Sequence, residues 1–131
     1  MDETNKPAED VFNVLNALIG IGLALSPKLF GFVDELALWH ACVLGVGVAL
    51  VATSALVMFV AWEEWLNAAL GIWGIVAPWT LQFTHDSVAT RVHVVAGAAV
   101  LVIAGVELLL HQHYRHRRVT EQQTYRRARI R

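Results

Sequence analysis

The chain has 131 residues, of which 56% are hydrophobic and 16% charged. That length bounds it to one domain, and so apolar a composition excludes a disordered tail protein and an ordinary soluble domain, where charge runs near ~25%. The formal net charge of -1 hides an asymmetry: Asp2, Glu3, Glu9 and Asp10 face Lys6 at the start, and seven of the ten Lys and Arg lie in residues 111–131.

Residues 1–10 form an acidic N-terminal segment. A secretory signal needs a basic start and a small-residue cleavage site, so the apolar run that follows is expected to be retained as a span. Residues 11–27 carry no charge, and the apolar character continues through Leu29, Phe30 and Phe32. Residues 36–62 are uncharged over 27 positions, 65–84 over 20, and 92–106 over 15. A helix needs ~20 mostly apolar residues to cross the ~30 Å hydrocarbon core. The second and third runs meet this outright. The first meets it with Lys28 reaching toward the headgroups, the fourth with Arg91 and Glu107 snorkelling in opposite directions. A soluble four-helix bundle would need a polar face on each helix, and the stretch from Val43 to Ala52 has none. The expected fold class is all-α: a polytopic membrane protein with four transmembrane helices.

Basic residues near span ends set orientation. The arginine-rich segment 111–131 places both termini in the cytoplasm, with the loops near 33–36 and 84–90 outside. Trp39 and Trp79 then fall near the outer interface and Trp62 and Trp65 near the inner one, where indoles prefer to sit. Trp73 lies mid-span and reads as a packing residue.

The halves resemble each other. At an offset of 51, Leu15, Asn16, Ala17, Gly20, Ile21, Pro27 and Phe32 match Leu66, Asn67, Ala68, Gly71, Ile72, Pro78 and Phe83. With one residue inserted, Gly45 matches Gly97 and Val48 matches Val100. The chain divides into two tandem helical-hairpin repeats, 11–61 and 62–110. An even number of spans per repeat keeps both in the same orientation, so the symmetry is a pseudo-twofold along the membrane normal, not an inverted repeat. Asn16 and Asn67 need partners, since an unpaired polar group in hydrocarbon costs several kcal/mol. Gly20 and Gly71 share a face with them at i+4 and permit close helix approach. Pro27 and Pro78 are expected to bend or end the odd helices.

These residues resemble the SPW repeat, a family of small bacterial membrane proteins with a Ser-Pro-Trp signature. The first half has Ser26-Pro27-Lys28, keeping Ser and Pro; the second has Ala77-Pro78-Trp79, keeping Pro and Trp. The resemblance covers roughly 11–110. It implies a two-repeat, four-span protein of the bacterial inner membrane and carries no assigned chemistry.

His40 and His93 are candidate cofactor ligands, near the outer start of each even span and within one residue of equivalent positions. Related by a pseudo-twofold they could ligate haem b from opposite sides; alternatively each caps its helix or bonds Asp34, Glu35 or Asp86. Two histidines without a third ligand suit zinc poorly, and no metal site is expected. Glu107 is a buried acid four residues before His111 and could pair with it. Cys42, the one cysteine, can close no internal disulfide and reads as inert. Gly45, Ala49 and Thr53, with Gly97 and Gly105, form small-residue packing stripes. Arg115, Arg117, Arg118, Arg126 and Arg127 are expected to hold the tail against anionic lipid, and two tyrosines are too few for nucleic-acid stacking. No nucleophile set, phosphate loop or nucleotide motif is present. The functional expectation is a non-enzymatic structural or accessory membrane subunit that associates with itself or a larger complex through the small-residue stripes. The alternatives are a bis-histidine haem electron-transfer subunit and a small-molecule or ion carrier formed by an oligomer.

Overall fold

The structure, a computed structural model, describes residues 6–58 and 62–130, apart from the side chains of residues 6 and 114–118. Among the described residues four helices run in chain order: α1 (Lys6–Phe30), α2 (Glu35–Val57), α3 (Glu63–Thr80) and α4 (Ser87–Arg129). No strand occurs among the described residues. α1, α2 and the Ser87–His113 part of α4 are long and apolar enough to cross a membrane.

α3 falls short of that measure, against the expectation of four such helices. The uncharged run 65–84 does not become one helix. α3 has 18 residues, starts on Glu63 and Glu64, and stops at Thr80. Its two acids, Asn67, three tryptophans and Pro78 leave it less apolar than its neighbours.

The helices pack as two hairpins joined through backbone contact. A Cβ on Gly20 would lie 2.6 Å from Ala49 N and Gly45 O; one on Gly45 would lie 2.5 Å from Ala24 N and Gly20 O. The second hairpin repeats the arrangement: a Cβ on Gly71 would lie 2.8 Å from Leu101 N, and one on Gly97 2.7 Å from Gly71 O. Only glycine allows backbones this close. Between the hairpins α1 touches α4 and α2 touches α3, the two contacts that a twofold exchange of the halves interchanges.

Both odd helices end the same way. Phe32 N–H donates to Pro27 O at 3.2 Å and Phe83 N–H to Pro78 O at 3.1 Å, with Gly31 at φ 63° and Gln82 at φ 60° between them. This six-to-one bond around a left-handed residue is the Schellman termination. The prolines therefore sit in the last helical turn and their carbonyls close it. Pro27 also leaves the Leu23 carbonyl without its usual donor, and the Ser26 hydroxyl fills it at 2.6 Å.

The left-handed position is strained for a residue with a Cβ, by about 1–2 kcal/mol. Gly31→Val is therefore expected to lower the thermal midpoint in detergent, whereas Gln82→Gly is expected to be neutral or stabilising. A lower midpoint for Gln82→Gly than for Gly31→Val would contradict this account of the turns.

The even helices begin on matched aspartates. Asp34 caps α2 by accepting from Ala37 N–H at 2.8 Å, and Asp86 caps α4 by accepting from Ala89 N–H at 3.0 Å. Asp86 Oδ2 also accepts from Val33 N–H at 2.7 Å and Asp34 N–H at 3.1 Å. The two interhelical loops are thus tied together at one end of the bundle. At the other end, Glu9 of α1 and Glu64 of α3 meet His111 of α4. Between these ends lies an apolar layer of Leu23, Ala41, Leu44, Val48 and Val100. The exterior is also apolar: Leu29, Val43, Trp65 and Leu109, one from each helix, are all more than three-fifths exposed.

Candidate functional site

The bundle carries two polar centres, one at each end. At the loop end, His40 of α2 and His93 of α4 meet, with His40 Nδ1 3.0 Å from His93 Nε2. Trp73 Nε1–H donates to His40 Nε2 at 2.8 Å, and His93 Nδ1 lies 2.7 Å from Ala89 O. This chain fixes its own protons. An indole nitrogen only donates, so His40 Nε2 is bare and Nδ1 carries the hydrogen. That hydrogen goes to His93 Nε2, which leaves the His93 hydrogen on Nδ1, facing a carbonyl that only accepts. Both rings are therefore neutral and all four ring nitrogens are satisfied. Phe83 packs 4.9 Å from His93 and 6.1 Å from His40, centroid to centroid, and Phe32 6.1 Å from His93.

Haem does not fit these residues. Two nitrogens on opposite sides of a metal stand about 4 Å apart, twice a metal–nitrogen bond of about 2.0 Å, and a porphyrin must pass between them. Here the nitrogens touch directly, and the other two are engaged by the Trp73 indole and the Ala89 carbonyl. The rings do not bond loop carboxylates either; they bond each other, Trp73 and a backbone carbonyl. They are not strict symmetry mates, because the offset that equates Gly45 with Gly97 equates His40 with Val92. Protein purified from haem-supplemented cells is expected to show no Soret band. A Soret band lost in His40→Ala would contradict this reading.

Asp86 lies beside this centre, outside the span, and holds the loops. Burial pushes its carboxyl up, but the backbone N–H groups of Ala89, Asp34, Val33 and Val88 outweigh that and hold it below the usual range. His85 adds an ion pair to Asp34 at 2.9 Å.

At the opposite end, His111 Nε2 lies 2.9 Å from Glu9 Oε1, and His111 Nδ1 contacts Glu64 Oε1. Glu107 is not the partner of His111 that its spacing suggested, because both ring nitrogens are taken by other helices. Nor does Glu107 snorkel: it is 5% exposed and its Oε2 has no partner. Deeper in, Asn16 and Asn67 are fully buried and neither amide has a protein partner.

The remaining sequence candidates are placed as follows. Gly20, Gly45, Gly71 and Gly97 line the seams within each hairpin, with Ala49 under Gly20. These seams lie inside the chain, so they are not free for another copy, a correction to the expected mode of association. Their faces meet their own neighbours because a short loop holds the adjacent helix against them. Gly105 faces open space. Pro27 and Pro78 are buried at the helix ends. Arg126 and Arg127 are exposed on α4, and the side chains of Arg115, Arg117 and Arg118 lie outside the described residues. Among the described residues no group of three or more His, Cys, Asp or Glu is arranged to hold a metal ion.

The family described as SPW repeat domain matches residues 10–107. The match takes in both hairpins as far as Glu107 and leaves Glu9 and His111 outside it. The chain belongs to the SPW repeat domain family. No curated protein and no solved structure matches it. In this SPW chain the signature has a backbone role: Ser26 replaces the donor that Pro27 removes, and Pro27 and Pro78 supply the carbonyls that close both odd helices. Trp79 is exposed beside the turn. The sequence offers Asp86 only as a possible histidine partner and Trp73 only as a packing residue, and shows neither as a tie between helices. The matched aspartates at an offset of 52, each ahead of a helix, were the available signal for Asp86; Trp73 has no aromatic counterpart in the first repeat, where Gly22 stands.

Proposed function

We propose that this SPW chain is a non-enzymatic structural or accessory subunit of the bacterial inner membrane, with four spans and both termini in the cytoplasm. The observation that carries the reading is the direction of its polar groups. Those of the histidine pair, the Asp86 clamp and the Glu9–His111–Glu64 contact tie one helix to another, while large apolar side chains stand exposed on α1, α2, α3 and the Ser87–Leu110 part of α4. A molecule built this way presents its surface to lipid or to another apolar helix.

The level of α3 supports its crossing with the others. Its C-terminal loop is tied to the α1–α2 loop, and its first turn is tied at the far end to His111 of α4, which also meets Glu9 of α1. At about 1.5 Å per residue, its 18 residues reach about 27 Å, close to the ~30 Å core. The arginine-rich end of α4 supports a cytoplasmic placement of the termini, and Arg115, Arg117, Arg118, Arg126 and Arg127 suit an anionic lipid surface there. Self-association, or docking in a larger complex, falls to outward-facing small residues: Gly22, Gly47 and Gly105 have open space where a Cβ would stand, and such notches admit a second helix.

The test is the state of the protein extracted in mild detergent. The expected result is a defined oligomer or a stoichiometric membrane partner, with its population reduced in Gly47→Leu or Gly105→Leu. A monodisperse monomer with no partner in every mild detergent, and in native lipid discs, would contradict the reading.

A further inference from the structure

Two amides lie deep in the bundle at equivalent places in the repeat, Asn16 of α1 and Asn67 of α3. Neither is exposed, and in each both Oδ1 and Nδ2 lack a protein partner. They therefore bond neither each other nor Glu107. An amide nitrogen only donates and an amide oxygen accepts, so each side chain leaves both kinds of bond unmade. Such groups are costly in hydrocarbon, where no solvent replaces the lost partner.

The helix seams fix what stands opposite each amide. α3 is held to α4 at two levels: Glu64 meets His111, and a Cβ on Gly71 would meet Leu101 N and Gly97 O. Asn67 stands three residues after Glu64 and four before Gly71, so the three share one face of α3. The stretch of α4 opposite runs from Leu101 to His111, and its Ala104 has no exposure. α1 repeats this on α2. Asn16 stands four residues before Gly20, whose Cβ would meet Gly45 O and Ala49 N. The next turn of α2 carries Ala52, again without exposure. Ala52 and Ala104 match at the offset of 52 that matches Gly45 with Gly97. In both hairpins the turn facing the amide thus carries a buried methyl group where a longer side chain would fill the layer.

The unmet atoms select the ligand. A cation would satisfy Oδ1 and leave the N–H groups unmet, an anion would do the reverse, and an apolar group would serve neither. The pair of unmet roles calls for a small neutral molecule that both donates and accepts. One turn from backbone contact, the molecule of that size is water. Buried waters make ~3 hydrogen bonds to groups that otherwise lack partners. On the Asn67 side a further acceptor is at hand: Glu107 lies three residues after Ala104, is 5% exposed, and has an Oε2 without partner.

We propose that Asn16 and Asn67 are two internal water-binding sites, one in each hairpin, where α1 meets α2 and α3 meets α4 through bound water. The glycine seams close each site toward the loop end of the bundle. The sites go beyond the accessory role, and either reading can fail without the other.

The experiment is water-edited solid-state NMR of the full-length, nitrogen-15-labelled protein in lipid bilayers. Magnetisation from water is expected to reach the Nδ2 groups of Asn16 and Asn67 several-fold faster than the backbone N–H groups of Val48 and Val100, which are 2% exposed. A water-soluble relaxation agent is expected to bleach the exposed Gln122 and Gln123 amides and to spare both asparagines. Asn16→Leu and Asn67→Leu assign the two signals, and backbone correlations do so should either fail to fold. Ala104→Val, which fills the facing turn, is expected to slow transfer to Asn67 and leave that to Asn16 unchanged. Transfer to both amides as slow as to Val48 and Val100 would overturn the proposal. So would bleaching of the asparagines together with the glutamines, or a shift of either Nδ2 signal when potassium replaces sodium, which would put a cation at the site. Unchanged transfer to Asn67 in folded Ala104→Val would overturn its placement against α4.

Discussion

Gly45→Ala is expected to destabilise the protein more than any other single-methyl change in α2. The added carbon would stand 2.5 Å from Ala24 N and Gly20 O and 2.9 Å from Ala24 Cα. All three are backbone atoms of α1, so no rotamer change makes room, and the two helices must separate along their seam. Overpacking of this kind costs about 1–3 kcal/mol, set against up to about 1 kcal/mol that alanine gains in a helix. The comparison that isolates the effect is Gly47→Ala, two residues further along the same helix, where nothing lies within 4 Å. That variant is expected to be neutral or stabilising. Gly97→Ala is expected to match Gly45→Ala, because its carbon would meet Gly71 O at 2.7 Å and Ile75 N at 2.8 Å. Thermal midpoints in one detergent check all three, and equal midpoints for Gly45→Ala and Gly47→Ala would remove the seam from the account.

The second large effect is expected at Asp86. Its carboxylate accepts from Val33, Asp34 and Ala89 N–H. Asp86→Ala removes the acceptor of three donors, of which the Ala89 N–H is buried and the Val33 and Asp34 N–H are part-buried. An orphaned buried donor costs about 1–3 kcal/mol, and a loss of about that size is expected, since water can reach the other two. Asp34→Ala removes the Ala37 cap and the His85 pair, and about 1 kcal/mol is expected for such a cap. The sign of the pH dependence follows from the direction of the Asp86 shift. Its folded-state value is held below the ordinary 3.8, so its contribution is fully present above that value and is lost as the pH falls through the lowered one. Asp86→Asn, which keeps one accepting oxygen and cannot ionise, is expected to flatten the acid limb of the stability profile. An unchanged acid limb would show that the clamp is not the titrating group.

Much of this fold is legible in the sequence, for reasons that particular residues make plain. The offset that pairs Asn16 with Asn67 and Gly20 with Gly71 predicts two equivalent hairpins, and the seams around Gly20–Gly45 and Gly71–Gly97 are equivalent. The same stripes do not say which helix they meet. A glycine records only that something comes near, and the near neighbour is the next helix of the same chain. α3 shows a different limit. Absence of charge over 65–84 measures solvation, whereas helix length is set by Pro78 and the left-handed Gln82, which turn the chain at Thr80.

The histidines show where spacing stops carrying information. Placement near one end of α2 and α4 predicts that His40 and His93 come close. Contact and ligation across a metal differ by about 1 Å between nitrogens, and that difference depends on Trp73 and the Ala89 carbonyl. Asp86 was readable as a helix cap, but its bonds to Val33 and Asp34 depend on the loops meeting. Glu107 was readable as a buried acid; that His111 turns to α1 and α3 depends on three helices ending level.

The claim on which the rest stands is that α3 crosses the membrane alongside the other three helices, so that both loops emerge on one face. Single cysteines at Val33, Thr84 and Gln123, in a Cys42→Ala background, test this by labelling with an impermeant thiol reagent in sealed vesicles of known orientation. The account predicts that Val33→Cys and Thr84→Cys react from the periplasmic side and Gln123→Cys only from the cytoplasmic side. Reaction of Val33→Cys and Thr84→Cys from opposite sides, or of Gln123→Cys from the same side as the two loops, would contradict it.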